Sequence, residues 1–393
     1  MAEIASSKPP APATSLLSGN EAIARGAWEA GVRVGAGYPG TPSTEILESL
    51  ARLPGVDCEW SPNEKVALEV AVGASLGGAR AIATMKHVGV NVAADPLFSV
   101  AYMGVNGGLV VISADDPGMH SSQNEQDNRL FARHARIPLL EPATPMEARL
   151  YTAAAFQLSE DFDTPVLLRP TTRLSHGSAR VEAGPRSEVP LRPYRKSRTK
   201  NVVLPAHGRA LHRRIEEERI PRLATESERW AEVLEAGPGD PGDVAFITAG
   251  VPSLYVREAF PGAPLLRLGM PYPLPEAAIR AFAARHADRR IHVVEELEPF
   301  MEEQIRAMGI ELATRTWPRH GELSVTVLRR AVRPAPEPGA ARVPDSEVGA
   351  VTQPRPLPIR PPALCPGCGH RGAFHAMQRM DAIVSGDIGC YTL

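Results

Sequence analysis

The sequence predicts an α/β protein: a parallel sheet covered by helices, followed by a second, smaller α/β domain and the beginning of a third. Two observations lead there. Short apolar runs ending in turn residues recur as Val32–Gly37, Ala79–Thr84, Gly108–Ala114, Ile137–Leu140 and Pro165–Arg169, and helical stretches separate them near 43–52, 62–77, 92–103, 125–135 and 145–160. The alternation restarts at Asp243 with VAFITAG, PLLRLG and IHVVEE, spaced by helical stretches near 252–260, 275–286 and 298–308, and closes around Ser324–Leu328. Apolar strands spaced by amphipathic helices predict a parallel sheet buried on both faces.

Taken in order, residues 1–15 are Pro/Ala/Ser-rich and read as a disordered leader. Ser18-Gly-Asn-Glu21 is a capping box that opens a helix running through Ala30. The first domain spans 16–175. Residues 176–242 hold many Arg and Glu with few long apolar runs, and read as a charged helical connector with a helix near 207–219. The second domain spans 243–330. Residues 331–362 form a Pro-rich linker of extended or polyproline character. The stretch 363–393 is too short to fold alone without a staple.

Composition excludes several classes. The formal net charge is −2, the Arg residues are scattered, and Lys occurs only at positions 8, 65, 86, 196 and 200, which leaves no footprint for nucleic acid or an anionic membrane. No run reaches the roughly 18–20 apolar residues of a membrane span. The N-terminus lacks the apolar core of a secretory signal, so a cytoplasmic protein is expected. Four Cys in 393 residues make no disulfide scaffold, yet Cys365, Cys368 and Cys390 crowd into the last stretch.

In open α/β sheets chemistry gathers at the C-terminal ends of the strands, which here are Gly37–Thr44, Met85–Asn91 and Asp115–Asp127. Tyr38-Pro-Gly-Thr41-Pro-Ser43-Thr44 offers hydroxyls and helix N–H groups to an anion, or Ser43 or Thr44 as a plain helix cap. Ser61-Pro62-Asn63-Glu64 reads as a full capping box with Ser61 as N-cap and Glu64 at N3; the alternative is a proton-handling carboxylate on the sheet rim. Lys86 is either an anion contact or an exposed turn lysine. The polar loop from Ala114 to Asp127 is long for a strand–helix connection, so it is either functional or a flexible surface loop. Cys365-Pro-Gly-Cys368-Gly-His370 with Cys390 points to a metal: zinc would use the three Cys and His370, whereas an iron–sulfur cluster needs a fourth Cys.

Together the strings YPGTPST, NEKVALEVAVGAS, TMKHVGVNVAADP, ISADDPGMHSSQNEQDNR, ALCPGCGHRGAFHAM and GDIGCYTL closely resemble the alpha subunits of the indolepyruvate ferredoxin oxidoreductases, within the thiamine-diphosphate-dependent 2-oxoacid:ferredoxin oxidoreductase family. The resemblance covers nearly everything from Leu16 to Leu393 and is weakest over 175–240. It implies a thiamine-diphosphate-binding fold: a pyrimidine-binding domain over 16–175, a transketolase C-terminal-like domain over 243–330, and the start of a diphosphate-binding domain from 363. Glu64 takes the place of the glutamate that hydrogen-bonds the aminopyrimidine, and Lys86, Gly89 and Asn91 are expected beside the cofactor. Thr41 matches a threonine facing the 2-oxoacid, with Ser121, Ser122, Gln123 and Asn124 expected to contact substrate. Cys365, Cys368 and Cys390 match ligands of a [4Fe–4S] cluster.

The implied activity is oxidative decarboxylation of aryl pyruvates such as indolepyruvate to aryl-acetyl-CoA and CO2, with coenzyme A and ferredoxin as co-reactants and a beta subunit completing a hetero-oligomer. The family's Gly-Asp…Asn motif for Mg2+ and its Cys-rich ferredoxin-like domain lie beyond the point matching Leu393. An N-terminal portion that is inactive in isolation is therefore expected, and Mg2+ ligands are not expected in this stretch. The alternatives are another 2-oxoacid oxidoreductase, a non-oxidative thiamine decarboxylase, or a non-catalytic scaffold for the smaller subunit.

Overall fold

The computed structural model describes residues 13–234, 237–239, 242–332, 364–380 and 383–384. Chain contacts divide it into two compact units, 1–333 and 334–393.

In the first unit, strand β1 (Ala13–Ser18) leads into the helix Gly19–Glu29. The capping box forms as expected, with Ser18 Oγ accepting from the Glu21 N–H at 3.2 Å and Glu21 Oε2 accepting from the Ser18 N–H at 2.8 Å. Strands β2 (Val34–Gly37), β3 (Asp57–Trp60), β4 (Ala81–Lys86), β5 (Leu109–Ala114), β6 (Leu139–Leu140) and β7 (Val166–Leu168) form a six-stranded sheet in the order β3-β2-β4-β5-β7-β6, parallel throughout. Every residue of β4 and β5 is buried, which is why these runs carry no polar alternation. Strand β8 (Ser178–Ala183) returns antiparallel to β1.

Strands β9 (Ala231–Leu234), β10 (Val244–Ala249), β11 (Leu265–Leu268) and β12 (Arg290–Val294) make a second sheet in the order β12-β10-β11-β9. Three of its strands are parallel, and β9 is an antiparallel edge.

One face of the first sheet buries Ile82, Val110, Ile112 and Leu168 under the helices Gly19–Glu29 and Pro145–Phe162. These helices touch at Gly26, where a Cβ would stand 2.2 Å from the carbonyl oxygen of Arg149, so only glycine admits the approach. The other face buries Leu68, Leu97, Val111 and Leu139 in a cluster that continues without a break into Ile247, Leu268 and Phe300 around the second sheet. Each fully buried residue of this kind contributes roughly 1.5–3 kcal/mol of transfer free energy, so this shared apolar seam is the main adhesive between the sheets.

Several details differ from the sequence reading. Ala13–Ser15, placed in the leader, are paired strand. Strand β3 went unread because Asp57-Cys-Glu-Trp lies on the sheet edge and its pattern is mostly exposed. The helix expected near 125–135 begins only at Arg129, because the residues before it are spent in the polar loop. Residues Val325–Val332 are helix, and the charged connector contains β8 and β9 besides its helices. The charged helix itself runs from Pro205 to Ser227 through a π-helical turn at Ile215–Arg219.

In the second unit, a turn closed by the Cys368 N–H on the Cys365 carbonyl at 3.1 Å leads into the helix His370–Gln378. Among the described residues no helix is long and apolar enough to cross a membrane.

Candidate functional site

Three segments converge at the C-terminal ends of β2, β4 and β5: the turn Tyr38–Thr44, the short helix His87–Val92, and the loop from Asp115 to Asn128. The turn is fixed from within. Ser43 Oγ donates to the Gly40 carbonyl at 2.8 Å, and Thr44 Oγ1 accepts from the Gly40 N–H at 2.9 Å. Neither hydroxyl caps the helix Thr44–Ala51, so the capping alternative does not hold for this pair. Thr41 is exposed, and its carbonyl accepts from Ser121 Oγ at 3.3 Å, joining the turn to the loop.

The capping box read at Ser61–Glu64 is also corrected. The N-cap is Asn63, whose side chain accepts from the Val66 N–H at 3.0 Å, and Glu64 is the first helical residue, not the third. An Asx cap one residue before Glu64 satisfies the helix end, so Glu64 is free of capping. Its half-buried carboxyl has no hydrogen-bond partner among the described residues and lies against Gly89, where a Cβ would meet Glu64 Cγ at 2.5 Å and Oε1 at 2.6 Å.

The helix bearing Gly89 is clamped by the loop. The His87 carbonyl accepts from Asn128 Nδ2 at 2.9 Å and from Gln126 Nε2 at 3.2 Å. Asn91 and Gln126 exchange amide hydrogen bonds at 2.9 and 2.8 Å. His87 Nε2 meets Asn124 Oδ1 at 3.2 Å, and His87 Nδ1 is buried without a partner. Asn128 is held in turn by Ser113 Oγ at 2.8 Å and by Asp115, which accepts from its N–H at 3.0 Å.

Lys86 is buried and not an exposed turn residue; its Nζ donates to the Ser121 carbonyl. Burial lowers its affinity for a proton, and the field of Asp116 opposes that. Asp116 accepts from the Ser121 N–H (2.9 Å), Ser122 Oγ (2.5 Å) and Thr172 Oγ1 (2.7 Å). Burial works to raise the Asp116 pKa, and these donors outweigh it, leaving the carboxyl below its ordinary range. Of the residues named from the sequence, Glu64, Lys86, Gly89, Asn91, Thr41, Ser121, Ser122 and Asn124 therefore share one rim. Gln123 is exposed and takes no part in these hydrogen bonds.

Behind the rim lies a buried ionic cluster that the sequence reading missed. Arg169 pairs with Asp115 at 2.6 Å and with Glu141; Arg129 pairs with Asp127 at 2.6 Å and with Glu295 of the second sheet at 2.7 Å. Arg129 also donates to the carbonyls of Glu296 and Glu298. Burial pushes the Glu296 carboxyl up to about 7, against a hydrogen bond from the Leu323 N–H. Asp115, Asp116, Asp127 and Arg129 all stood in the dense polar run after β5, which was the available signal; the partners from the second sheet carried none.

Cys368 Sγ lies 3.4 Å from His370 Nδ1, while Cys365 is exposed. Among the described residues no three His, Cys, Asp or Glu side chains come together as a metal site, and Cys390 lies outside the described residues.

Residues 25–213 match the thiamine-diphosphate-binding domain of the pyruvate flavodoxin/ferredoxin oxidoreductases. Over 96% of its length the chain is 46% identical to the indolepyruvate oxidoreductase subunit IorA of Archaeoglobus fulgidus, covering 63% of that protein. It is 42% identical over the same share to IorA of Methanothermobacter marburgensis, covering 64% of it. The chain thus spans a little under two thirds of the curated relatives it matches. The solved 2-oxoglutarate:ferredoxin oxidoreductase from Magnetococcus marinus has the same fold, with a TM-score of 0.65 at 17% identity over 83% of this chain and 65% of that one.

Proposed function

We propose that the chain, whose residues 25–213 match a thiamine-diphosphate-binding domain and which is 46% identical to a curated indolepyruvate oxidoreductase subunit, is part of the alpha subunit of an indolepyruvate ferredoxin oxidoreductase. That enzyme decarboxylates aryl pyruvates oxidatively to aryl-acetyl-CoA and CO2 and reduces ferredoxin. The observation that carries the reading is the placement of Glu64: a half-buried, unpartnered carboxyl set against a glycine at the strand-end rim.

A carboxylate in that setting fits an aminopyrimidine ring, which offers it a ring nitrogen to hydrogen-bond. When bound, thiamine diphosphate supplies the nucleophilic carbon and the electron sink for loss of CO2. Glu64 would hold or move the proton at the pyrimidine nitrogen. Gly89 gives the ring and carboxyl room, with Lys86 and Asn91 beside it. Thr41, Ser121, Ser122, Gln123 and Asn124 border the opening where a 2-oxoacid would enter.

The described residues do not complete a site for Mg2+ or for an iron–sulfur cluster. Cys365, Cys368 and Cys390 enter the proposal only as cluster ligands, with no step routed through them. A beta subunit, ferredoxin and coenzyme A are the proposed partners, in the cytoplasm.

The test is the assembled oxidoreductase containing this chain. Ferredoxin reduction should require both indolepyruvate and coenzyme A and should be lost in Glu64→Gln. Aldehyde release without ferredoxin reduction would sink the oxidative reading in favour of a simple decarboxylase.

A further inference from the structure

Lys86 ends β4 and is only 8% exposed. Its stem lies against the turn, so that a Cβ on Gly40 would stand 3.1 Å from Lys86 Cβ. One ammonium proton is spent on the Ser121 carbonyl. The nearby acid, Asp116, is already saturated by neutral donors: the Ser121 N–H and the Ser122 and Thr172 hydroxyls. No carboxylate among the described residues lies within ion-pair distance of Lys86 Nζ, which leaves a nearly buried cation without a direct counter-ion. An ammonium has three donors, and buried charges are ordinarily paired.

We propose that Lys86 is the counter-ion of the substrate, and that its ammonium binds the carboxylate of the 2-oxoacid. The proposal deepens the reading of the chain as a 2-oxoacid oxidoreductase subunit and rests on it. Three features converge on this assignment. The free donors of Lys86 lie beside Ser121, whose hydroxyl reaches the Thr41 carbonyl at 3.3 Å and so ties the loop to the turn next to the ammonium. The helix that starts at the next residue carries Gly89, and with it the seat of Glu64, which puts Lys86 on the same rim as the proposed cofactor contact. The chemistry also matches, since Lys86 Nζ has no carboxylate within ion-pair distance among the described residues and a substrate carboxylate would supply one. The diphosphate of the cofactor is the other oxyanion available, and cofactor affinity measured in the Lys86 variants separates the two.

A contact to the carboxylate that persists up to the decarboxylation transition state holds ground state and transition state alike. It should therefore appear in KM and not in kcat.

The experiment uses the assembled oxidoreductase, with indole-3-pyruvate and its uncharged methyl ester as probes and calorimetry for thiamine diphosphate. Lys86→Met should raise KM for indole-3-pyruvate about 10- to 100-fold, the range expected for a charged hydrogen bond. It should leave kcat within about threefold and cofactor affinity within about twofold. Lys86→Arg should retain most of the affinity. The unsubstituted enzyme should bind the acid at least about tenfold tighter than the ester, a measurement that stands even if Lys86→Met fails to fold. Equal binding of acid and ester, or an unchanged KM in Lys86→Met, would overturn the assignment. A loss confined to cofactor affinity would overturn it in favour of the cofactor's phosphate. Failure of the unsubstituted enzyme to turn over any 2-oxoacid would bring down the parent reading instead, before any substitution is made.

Discussion

The Cα of Gly89 faces the side chain of Glu64 so closely that a methyl group there would lie 2.5 Å from Cγ and 2.6 Å from Oε1. The obstructing atoms belong to the movable end of a side chain and not to backbone, so Gly89→Ala should displace the carboxyl and leave the fold standing. The expected outcome is a melting temperature within a few degrees of the parent and a drop of tenfold or more in turnover by the assembled enzyme. A Gly89→Ala enzyme with full turnover would show that the site does not depend on where Glu64 sits.

Arg129 binds Asp127 on the first sheet's loop and Glu295 on the second sheet, both buried. Removing the guanidinium strands two carboxyls without their cation, and breaking a buried pair in this way costs about 3–5 kcal/mol. Arg129→Met should lower the urea midpoint accordingly. Adding Glu295→Gln should recover part of the loss, because one of the stranded charges is then gone. If the double variant is no more stable than the single one, loss of Arg129 does not leave Glu295 as a stranded charge.

The sheet and its rim were legible in the sequence because burial on both faces writes itself as unbroken apolar runs; Ala81–Lys86 and Leu109–Ala114 are fully buried from end to end. Edge elements were not, since Asp57–Trp60 and Ala231–Leu234 bury little and carry no period. At the site, the resemblance supplied Glu64, but spacing alone misled: Ser-Pro-x-Glu imitates a capping box, and Asn63 takes the cap in its place. The clamp on His87 was invisible for another reason. Gln126 and Asn128 act on it across some forty residues of chain, and nothing local in the sequence marks such a partnership.

Burial pushes the Glu296 carboxyl up from the ordinary 4.5 to about 7. The folded protein therefore holds a proton that the unfolded chain releases between these two values. The contribution of this group is full below pH 4.5, falls as pH rises, and by pH 8 has cost about 3 kcal/mol, at 1.36 kcal/mol per unit. Glu296→Gln cannot ionise. Relative to the parent it should gain up to about 3 kcal/mol between pH 4.5 and pH 8. Unfolding midpoints measured for both proteins across that range report on the group, because titrations not coupled to Glu296 cancel in the difference. A difference that does not change with pH would show that Glu296 is ionised throughout.

Asn128 tests the clamp itself. Its amide donates to the His87 carbonyl and to Ser113 Oγ, while its N–H binds Asp115. Asn128→Ala removes one of the two donors to the His87 carbonyl and the amide donor to Ser113 Oγ, at a cost of about 1–3 kcal/mol for the two bonds. Asn128→Asp keeps the shape but replaces the donor with an oxygen. It sets acceptor against acceptor at His87 and places a second carboxyl beside that of Asp115. Steric reasoning predicts that the isostere is the milder change, whereas the hydrogen-bond polarity predicts the reverse, with Asn128→Asp the less stable of the two. Amide exchange across residues 87–92 should quicken in both, and more in the aspartate variant, since the helix that seats Glu64 loses its anchor while the sheet behind it remains packed. An aspartate variant as stable as the parent, with unchanged exchange in that helix, would mean that Asn128 merely fills space.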